Sequence, residues 1–348
     1  MKSRPPFLFS SLLMKWNKKF NVRKLPWKGI KDPYRIWLSE IILQQTRVEQ
    51  GEKYYYAFIN NYPNIIDLAE ANDEQVFKLW QGLGYYNRCR NMLATARIIA
   101  KNYDGIFPSN YPEILALKGI GEYTAAAISS FAFNLPYAVV DGNVVRLLSR
   151  IFMLDINFHS AKGKKEIQDF AQSLLDKNNA GEYNQAIMDL GATICKPQNP
   201  LCTICPFISN CKAHANETIS SYPIKKIKKP LRERHFHFII LTNSNTFYIQ
   251  KRFENDIWKD LYTFYCIENE TLKPSDLPTF LEQAQLPAPI KLSQVLTHQK
   301  IHGYFYQIPI NSTVPVKKLG LIKVKKSDLH LYAFPKIIAS FFEKFNYL

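Results

Sequence analysis

The sequence has no run of about 18 apolar residues, so it offers no candidate transmembrane helix. It is also short of acidic residues: 29 Asp and Glu stand against 45 Lys and Arg, a formal net charge of +16, and the pI is near 9.4. Such a balance points to a polyanionic partner, nucleic acid first and an anionic membrane surface second. No internal repeat is present, and no low-complexity tract apart from one basic stretch. The apolar segment Phe7 to Met14 follows Lys2 and Arg4, but it is short and lacks a small-residue cleavage site. It reads as the start of a helix rather than a signal peptide. What is there is ample for packed cores. Hydrophobic residues make up 47% of 348 positions, with 23 Phe, 20 Tyr and 5 Trp, which argues against disorder and for more than one domain.

The charge is unevenly placed. Residues 219–235 hold 6 basic and 1 acidic side chains, with Lys225, Lys226, Lys228, Lys229, Arg232 and Arg234 around Pro223 and Pro230. Like charges keep such a segment extended, as a basic interdomain linker would be. Before it, helix-like stretches at 64–80, 88–102, 122–133, 143–153 and 164–177 alternate with short turns. After it, His235 to Leu241, Thr246 to Lys251, Leu261 to Ile267 and Tyr304 to Ile310 are aromatic and β-branched runs. Asn243-Ser244-Asn245 reads as a hairpin turn, and a helix from Pro335 to Phe345 closes the chain. The expectation is a multidomain chain: an all-α domain over 1–218, the linker over 219–235 and a smaller α+β domain over 236–348.

Of six cysteines, Cys195, Cys202, Cys205 and Cys211 fall within 17 residues as C-x6-C-x2-C-x5-C, while Cys89 and Cys266 stand alone as buried thiols. In a reducing compartment the cluster implies a metal centre rather than two disulfides. Four thiolates suit zinc or a [4Fe–4S] cluster, and one short loop wrapping all four favours iron–sulfur.

Three further patterns carry chemistry. Asp32-Pro33 starts a helix that runs Tyr34 to Thr46, with Glu40 inside its apolar run. A carboxyl there is partly desolvated, and its raised pKa suits a proton donor near neutral pH. Taken alone, a solvent-facing or Arg-paired Glu is the plainer reading. Gly119 and Gly121 permit a tight hairpin before a helix starting near Glu122, whose free amides suit a phosphate or merely join two helices. Asp141-Gly142-Asn143 opens another helix, so Asp141 is an N-cap, a second carboxylate facing Glu40, or both. Two carboxylates, one protonated and one ionised, suit cleavage of a glycosidic bond through a cationic sugar.

Together these residues resemble the MutY-type adenine DNA glycosylases of the helix-hairpin-helix superfamily, which also holds endonuclease III. The resemblance rests on Leu25-Pro-Trp27, Leu38-Ser-Glu-Ile-Ile-Leu-Gln-Gln-Thr46, Gly82-Leu-Gly-Tyr-Tyr86 and the Gly119/Gly121 hairpin. It continues through Asp141-Gly-Asn-Val144, Tyr183-Asn-Gln-Ala-Ile-Met-Asp-Leu-Gly191 and the cysteine loop, and it spans nearly the whole chain. It implies that Glu40 protonates the leaving adenine and that Asp141 stabilises or traps the oxocarbenium ion, supported by Tyr123 and Asn143. Arg23, Trp27 and Gln185 would line the pocket for a flipped adenine. Leu43, Gln45, Thr46 and Tyr85 would fill and read the gap in the duplex, and the hairpin glycines would meet phosphate. The cysteines would hold one [4Fe–4S] cluster, with Lys196 and Lys212 toward phosphates.

Strand-nicking members of the superfamily carry a Lys where this chain has Tyr123, which cannot form a Schiff base. A monofunctional enzyme that leaves an abasic site is therefore expected. Residues past 236 resemble a Nudix-like domain that recognises 8-oxoguanine opposite the adenine. No Glu-rich metal box lies between Trp258 and Leu286, so this domain should bind and not hydrolyse. Its reading loop is expected at Leu296-Thr297-His298, against a purely structural role for His298 on a strand. The expected partner is double-stranded DNA with adenine opposite 8-oxoguanine or guanine. The expected protein is a cytoplasmic, nucleoid-associated monomer that works beside replication or repair proteins. The alternatives are a bifunctional endonuclease III-like enzyme for oxidised pyrimidines, and a non-catalytic iron–sulfur DNA-binding protein.

Overall fold

The computed structural model describes residues 8–224, 230–281, 285–311, 316–345 and 347. Lys225, Lys226, Lys228 and Lys229 of the expected linker lie outside the described residues. Packing divides the chain into two units, Met1–Glu70 with Asn91–Ile227 and Ala71–Arg90 with Lys228–Leu348. The division is not the single cut expected from sequence, because residues 71–90 group with the C-terminal part. Polar contacts account for this. Tyr262 donates to Glu74 Oε1 at 2.6 Å, Lys78 Nζ to the Tyr332 carbonyl at 3.0 Å, and Arg90 Nη1 to the Lys259 carbonyl at 2.8 Å. No helix among the described residues is long and apolar enough to cross a membrane.

The first unit is helical. Its starts are written locally: Asp32 accepts from the Tyr34 amide at the head of helix Pro33–Leu43, and Ser160 from Gly163 at the head of Ala161–Leu174. Two expectations shift. The stretch 64–80 is two helices, Ile65–Glu70 and Asp73–Trp80, because the Asn72 side chain takes the Glu74 and Gln75 amides and restarts the turn. The helix bearing Glu40 stops at Leu43 instead of Thr46, since Gln45 turns left-handed at φ 56°.

Helix Gly142–Phe152 buries Val144, Leu147, Leu148 and Ile151 along one stripe. They pack with Phe9, Leu13 and Trp16 of Phe9–Phe20, with Tyr183, Ile187 and Leu190 of Ala180–Thr193, and with Phe207. The Phe9 and Phe207 rings stack at 4.5 Å.

The second unit is built on a mixed sheet of β1 (Arg232–Asn243), β2 (Thr246–Lys251), β3 (Tyr262–Thr263), β4 (Tyr265–Glu268), β5 (Ile290–Val295), β6 (Gln299–Pro309) and β7 (Ile322–Lys325). The order is β3-β2-β1-β6-β5, with β4 also paired to β1 and β7 to β2. β1 and β6 run parallel from Arg232↔Gln299 to Thr242↔Pro309, longer than either apolar run suggested. The run at Leu261 to Ile267 is interrupted at Phe264 and forms two strands. Phe238, Phe305 and Phe341 stack in series between the sheet and helix Lys336–Lys344.

Gly191 fixes how closely helix Ala180–Thr193 approaches the start of Gly142–Phe152. A Cβ there would meet Asn143 Cβ at 2.8 Å and the Asn143 carbonyl oxygen at 2.9 Å, and backbone cannot swing aside. Gly191→Ala is therefore expected to cost about 1–3 kcal/mol, read as a lower melting temperature by differential scanning calorimetry. An unchanged transition would show that the two helices can part freely.

Candidate active site

A cavity of about 670 Å³ opens in the helical unit, a size suited to a small organic molecule. It is lined by Arg23, Trp27, Glu40, Leu43, Gln45, Thr46, Tyr123, Asp141, Asn143 and Gln185, so ten positions singled out from sequence meet on one surface. The segment after Phe20 brings Arg23 and Trp27, helix Pro33–Leu43 brings Glu40, and the starts of Glu122–Phe133 and Gly142–Phe152 bring Tyr123 and Asp141.

Glu40 is 6% exposed, which displaces the reading of a solvent-facing Glu. Burial pushes its carboxyl up to about 7; the Tyr123 hydroxyl, which donates to it, pulls the other way, and the nearby charge of Asp141 adds to the rise. Asp141 is both an N-cap and a cavity group. It accepts from the Val144 amide at 2.8 Å and from Asn143 Nδ2 at 2.6 Å. Burial raises its pKa too, but those bonds and the Arg146 guanidinium oppose the rise. Burial raises both carboxyls, but Asp141 is furnished with more donors that favour its ionised form than Glu40 is.

The cavity also holds residues that sequence reading passed over. Lys28 follows Trp27 in its wall, and Asp189 lies just behind it, accepting from Arg23 Nη1 at 2.9 Å and Lys28 Nζ at 2.8 Å. The available signal was the spacing of Gln185 and Asp189, four apart and so on one helix face; Gln185 Nε2 donates to Asp189 at 3.0 Å.

All four clustered cysteines border a single small pocket with Leu147, Ile151, Ile194, Ile208 and Ile219. Four thiols and no carboxylate, beside aliphatic side chains, Arg150 and His214, fit a soft, thiolate-bound metal centre. Helix Gly142–Phe152 holds this loop through two buried arginines. Arg146 Nε donates to the Cys195 carbonyl at 2.7 Å and Arg146 Nη2 to Asn143 Oδ1 at 2.9 Å. Arg150 Nη1 donates to the Lys196 carbonyl at 2.8 Å and reaches Cys195 Sγ at 3.4 Å.

The remaining candidates lie elsewhere. Gly119 turns left-handed at φ 79°, and Gly121 begins helix Glu122–Phe133, whose first amides receive no side-chain cap. In the second unit Tyr85 is partly exposed at φ 48°, and its hydroxyl meets Thr297 Oγ1. Thr297 and His298 form the exposed turn of the β5–β6 hairpin, so His298 is a turn residue and not a strand residue.

Glu233, His235 and His302 also gather within ligand distance of one another. However, the two imidazoles stack 9° from parallel at 4.6 Å, so their in-plane lone pairs run side by side instead of converging. Glu233 is already shared by His302 and Lys300.

Comparison with known proteins gives these features a family. The model of the HhH-GPD superfamily of base excision DNA repair proteins matches residues 38–178, and that of the NUDIX domain matches 236–344. A solved thermostable thymine-DNA glycosylase aligns with 60% of this chain and 95% of its own, at 29% identity and a TM-score of 0.55. Fold and cavity therefore define a helix-hairpin-helix base-excision glycosylase.

The adenine DNA glycosylase of Buchnera aphidicola subsp. Acyrthosiphon pisum is 40% identical over 264 residues, 76% of this chain and 75% of that protein. The one from Buchnera aphidicola subsp. Baizongia pistaciae is 36% identical over 305 residues, 87% and 85%. The chain belongs to the adenine DNA glycosylase family.

Because Glu40 holds its proton to higher pH in the folded state, stability is full below the unfolded value of 4.5 and declines as pH rises to about 7. The decline is on the order of 3 kcal/mol. Glu40→Gln never ionises, so it should melt near the unaltered protein at pH 4.5 and above it at pH 8. A Tm difference that does not change with pH would show that Glu40 is not the group holding that proton.

Proposed function

We propose that this enzyme removes adenine mispaired with 8-oxoguanine or guanine from double-stranded DNA, hydrolysing the N-glycosidic bond without cutting the strand. The observation that carries this reading is the cavity whose wall holds both a buried Glu40, bonded by the Tyr123 hydroxyl, and a hydrogen-bonded Asp141. As the C1′–N9 bond breaks, its electron pair leaves with adenine and the Glu40 proton goes to the base. Asp141 meets the positive charge on the sugar, and a water adds its oxygen to C1′ and gives up a proton to a cavity carboxylate. Asn143 fixes the Asp141 carboxylate, and Tyr123 orients the Glu40 acid. Arg23, Trp27 and Gln185 surround the flipped base, while Leu43, Gln45, Thr46 and Tyr85 occupy and read the gap it leaves.

With Tyr123 in the position that resembling strand-nicking enzymes give to Lys, the chain lacks an amine to form a Schiff base there. A net charge of +16 and the uncapped amides past Gly121 support duplex phosphates as the docking surface. Cys195, Cys202, Cys205 and Cys211 would hold one [4Fe–4S] cluster, a centre that supplies a compact, charged anchor for the loop. The domains divide the work as 1–218 for excision, 219–235 as linker and 236–348 for lesion reading, with Thr297 and His298 toward 8-oxoguanine. The setting is a cytoplasmic, nucleoid-associated monomer that meets other replication or repair proteins on the duplex.

A duplex with adenine opposite 8-oxoguanine, incubated with the protein and then heated in alkali, should be cut at the adenine strand and scarcely without alkali. No alkali-dependent cut would overturn the reading, and strong cutting without alkali would favour a bifunctional enzyme. The purified protein should be brown, absorb near 400 nm and contain about four irons per chain. Stoichiometric zinc in place of iron would reassign the cysteine loop.

A further inference from the structure

Asp189 is fully buried on helix Ala180–Thr193 and does not line the cavity. Four side chains nevertheless donate to it. Its Oδ1 accepts from Arg23 Nη1 at 2.9 Å and Gln185 Nε2 at 3.0 Å; its Oδ2 accepts from Lys28 Nζ at 2.8 Å and Asn21 Nδ2 at 2.9 Å. Three of these donors, Arg23, Lys28 and Gln185, are cavity wall. Lys28 Nζ also donates to the Arg23 carbonyl at 3.0 Å, so the non-helical segment from Asn21 to Lys28 is closed on itself around one anion.

We propose that Asp189 is a positioning residue that sets which base the cavity accepts, by making its wall complementary to an exocyclic amine and hostile to a ring carbonyl. The proposal rests on the reading of this cavity as the adenine pocket. A carboxylate only accepts hydrogen bonds, so Gln185 must turn its NH2 group to Asp189; the flipped amide would set two oxygens face to face. The Gln185 carbonyl oxygen is then the end given to the cavity. It can accept from the 6-amino group of adenine, whereas the 6-oxo group of hypoxanthine or guanine would meet it as a second acceptor.

The same carboxylate pairs the Arg23 and Lys28 charges in the cavity wall. Left unpaired, these cations would attract a 6-oxo group, the outcome an adenine pocket must avoid. One buried anion thus orients an acceptor and neutralises competing donors, and both effects favour the amine.

The test compares single-turnover release of adenine and of hypoxanthine from otherwise identical duplexes, in the unaltered protein and in Asp189→Asn. An Asn side chain offers its own NH2, no longer dictates the Gln185 amide and no longer neutralises the cations. The adenine-to-hypoxanthine ratio should fall by about tenfold or more, the scale set by one mispaired hydrogen bond. Gln185→Met keeps Asp189 and its cation pairs but removes the amide, so it should lose discrimination as well, and it carries the test should Asp189→Asn not fold. The double variant should discriminate about as Asp189→Asn alone does, since that substitution already disturbs both the amide and the cations.

Equal slowing of both bases with an unchanged ratio in Asp189→Asn would make Asp189 structural and overturn the proposal. An unchanged ratio in Gln185→Met would do the same. Failure of the unaltered protein to release adenine would instead overturn the reading of the cavity, and the proposal with it.

Discussion

Two carboxyl groups share one desolvated cavity, and the helices around it supply them with unequal numbers of hydrogen-bond donors. Burial alone would raise both. What separates them is the supply of hydrogen-bond donors. Glu40 emerges from the middle of helix Pro33–Leu43, where backbone amides are consumed by the helix itself, and it receives one hydroxyl from Tyr123. Asp141 stands before the first turn of Gly142–Phe152, where amides are unpaired by geometry, and it collects the Val144 amide and the Asn143 side chain. Position along a helix, mid-turn or cap, therefore decides which carboxyl collects the more donors.

The same helix that is capped by Asp141 anchors the cysteine loop. A chain of hydrogen bonds runs from the Cys195 carbonyl through Arg146 to Asn143 and on to Asp141. Arg146 and Arg150 are both buried, and each satisfies several backbone carbonyls that no strand or helix would otherwise pair. A buried guanidinium with that many acceptors tolerates little displacement, so the loop and the first turn of Gly142–Phe152 are tied to one rigid element. Gly191 completes the arrangement by letting a second helix close against Asn143 without a side chain between them.

Much of this was legible because it is local. Caps, hairpin glycines and short motifs encode their own backbone geometry, so Asp32, Gly119, Asp141 and the cysteine spacing could be read in place. The exposure of Glu40 could not be read locally: its run of apolar neighbours permitted burial but did not require it, and only the packing around helix Pro33–Leu43 decides it. The spacing from Gln185 placed Asp189 on the same helix face, but not its cationic partners. Its partners Arg23 and Lys28 lie 166 and 161 positions away, and no periodicity links them. The break at Asn72 is hidden because apolar residues recur on both sides of it, and the end at Leu43 is set by a left-handed Gln45 that no side-chain pattern marks. The grouping of residues 71–90 with the C-terminal unit likewise depends on Glu74, Lys78 and Arg90 finding polar partners that a linear pattern does not reveal.

In the second unit the sheet explains why a turn can be offered for recognition without losing its place. β6 is held on one side by the parallel β1 over a long register and on the other by the antiparallel β5. Apolar rings fasten one face of the sheet to the closing helix, and Arg234, bonded to both Asp256 and Glu268, secures the start of β1. Thr297 and His298 thus project from a hairpin in which β6 is paired on both sides and β5 forms the sheet edge. A short turn on such a base has few conformations to lose on binding, which favours recognition over induced closure. Thr297 already meets the Tyr85 hydroxyl within this unit. A residue expected to enter the duplex and one expected to read the lesion are therefore neighbours, and engaging one necessarily changes the surroundings of the other.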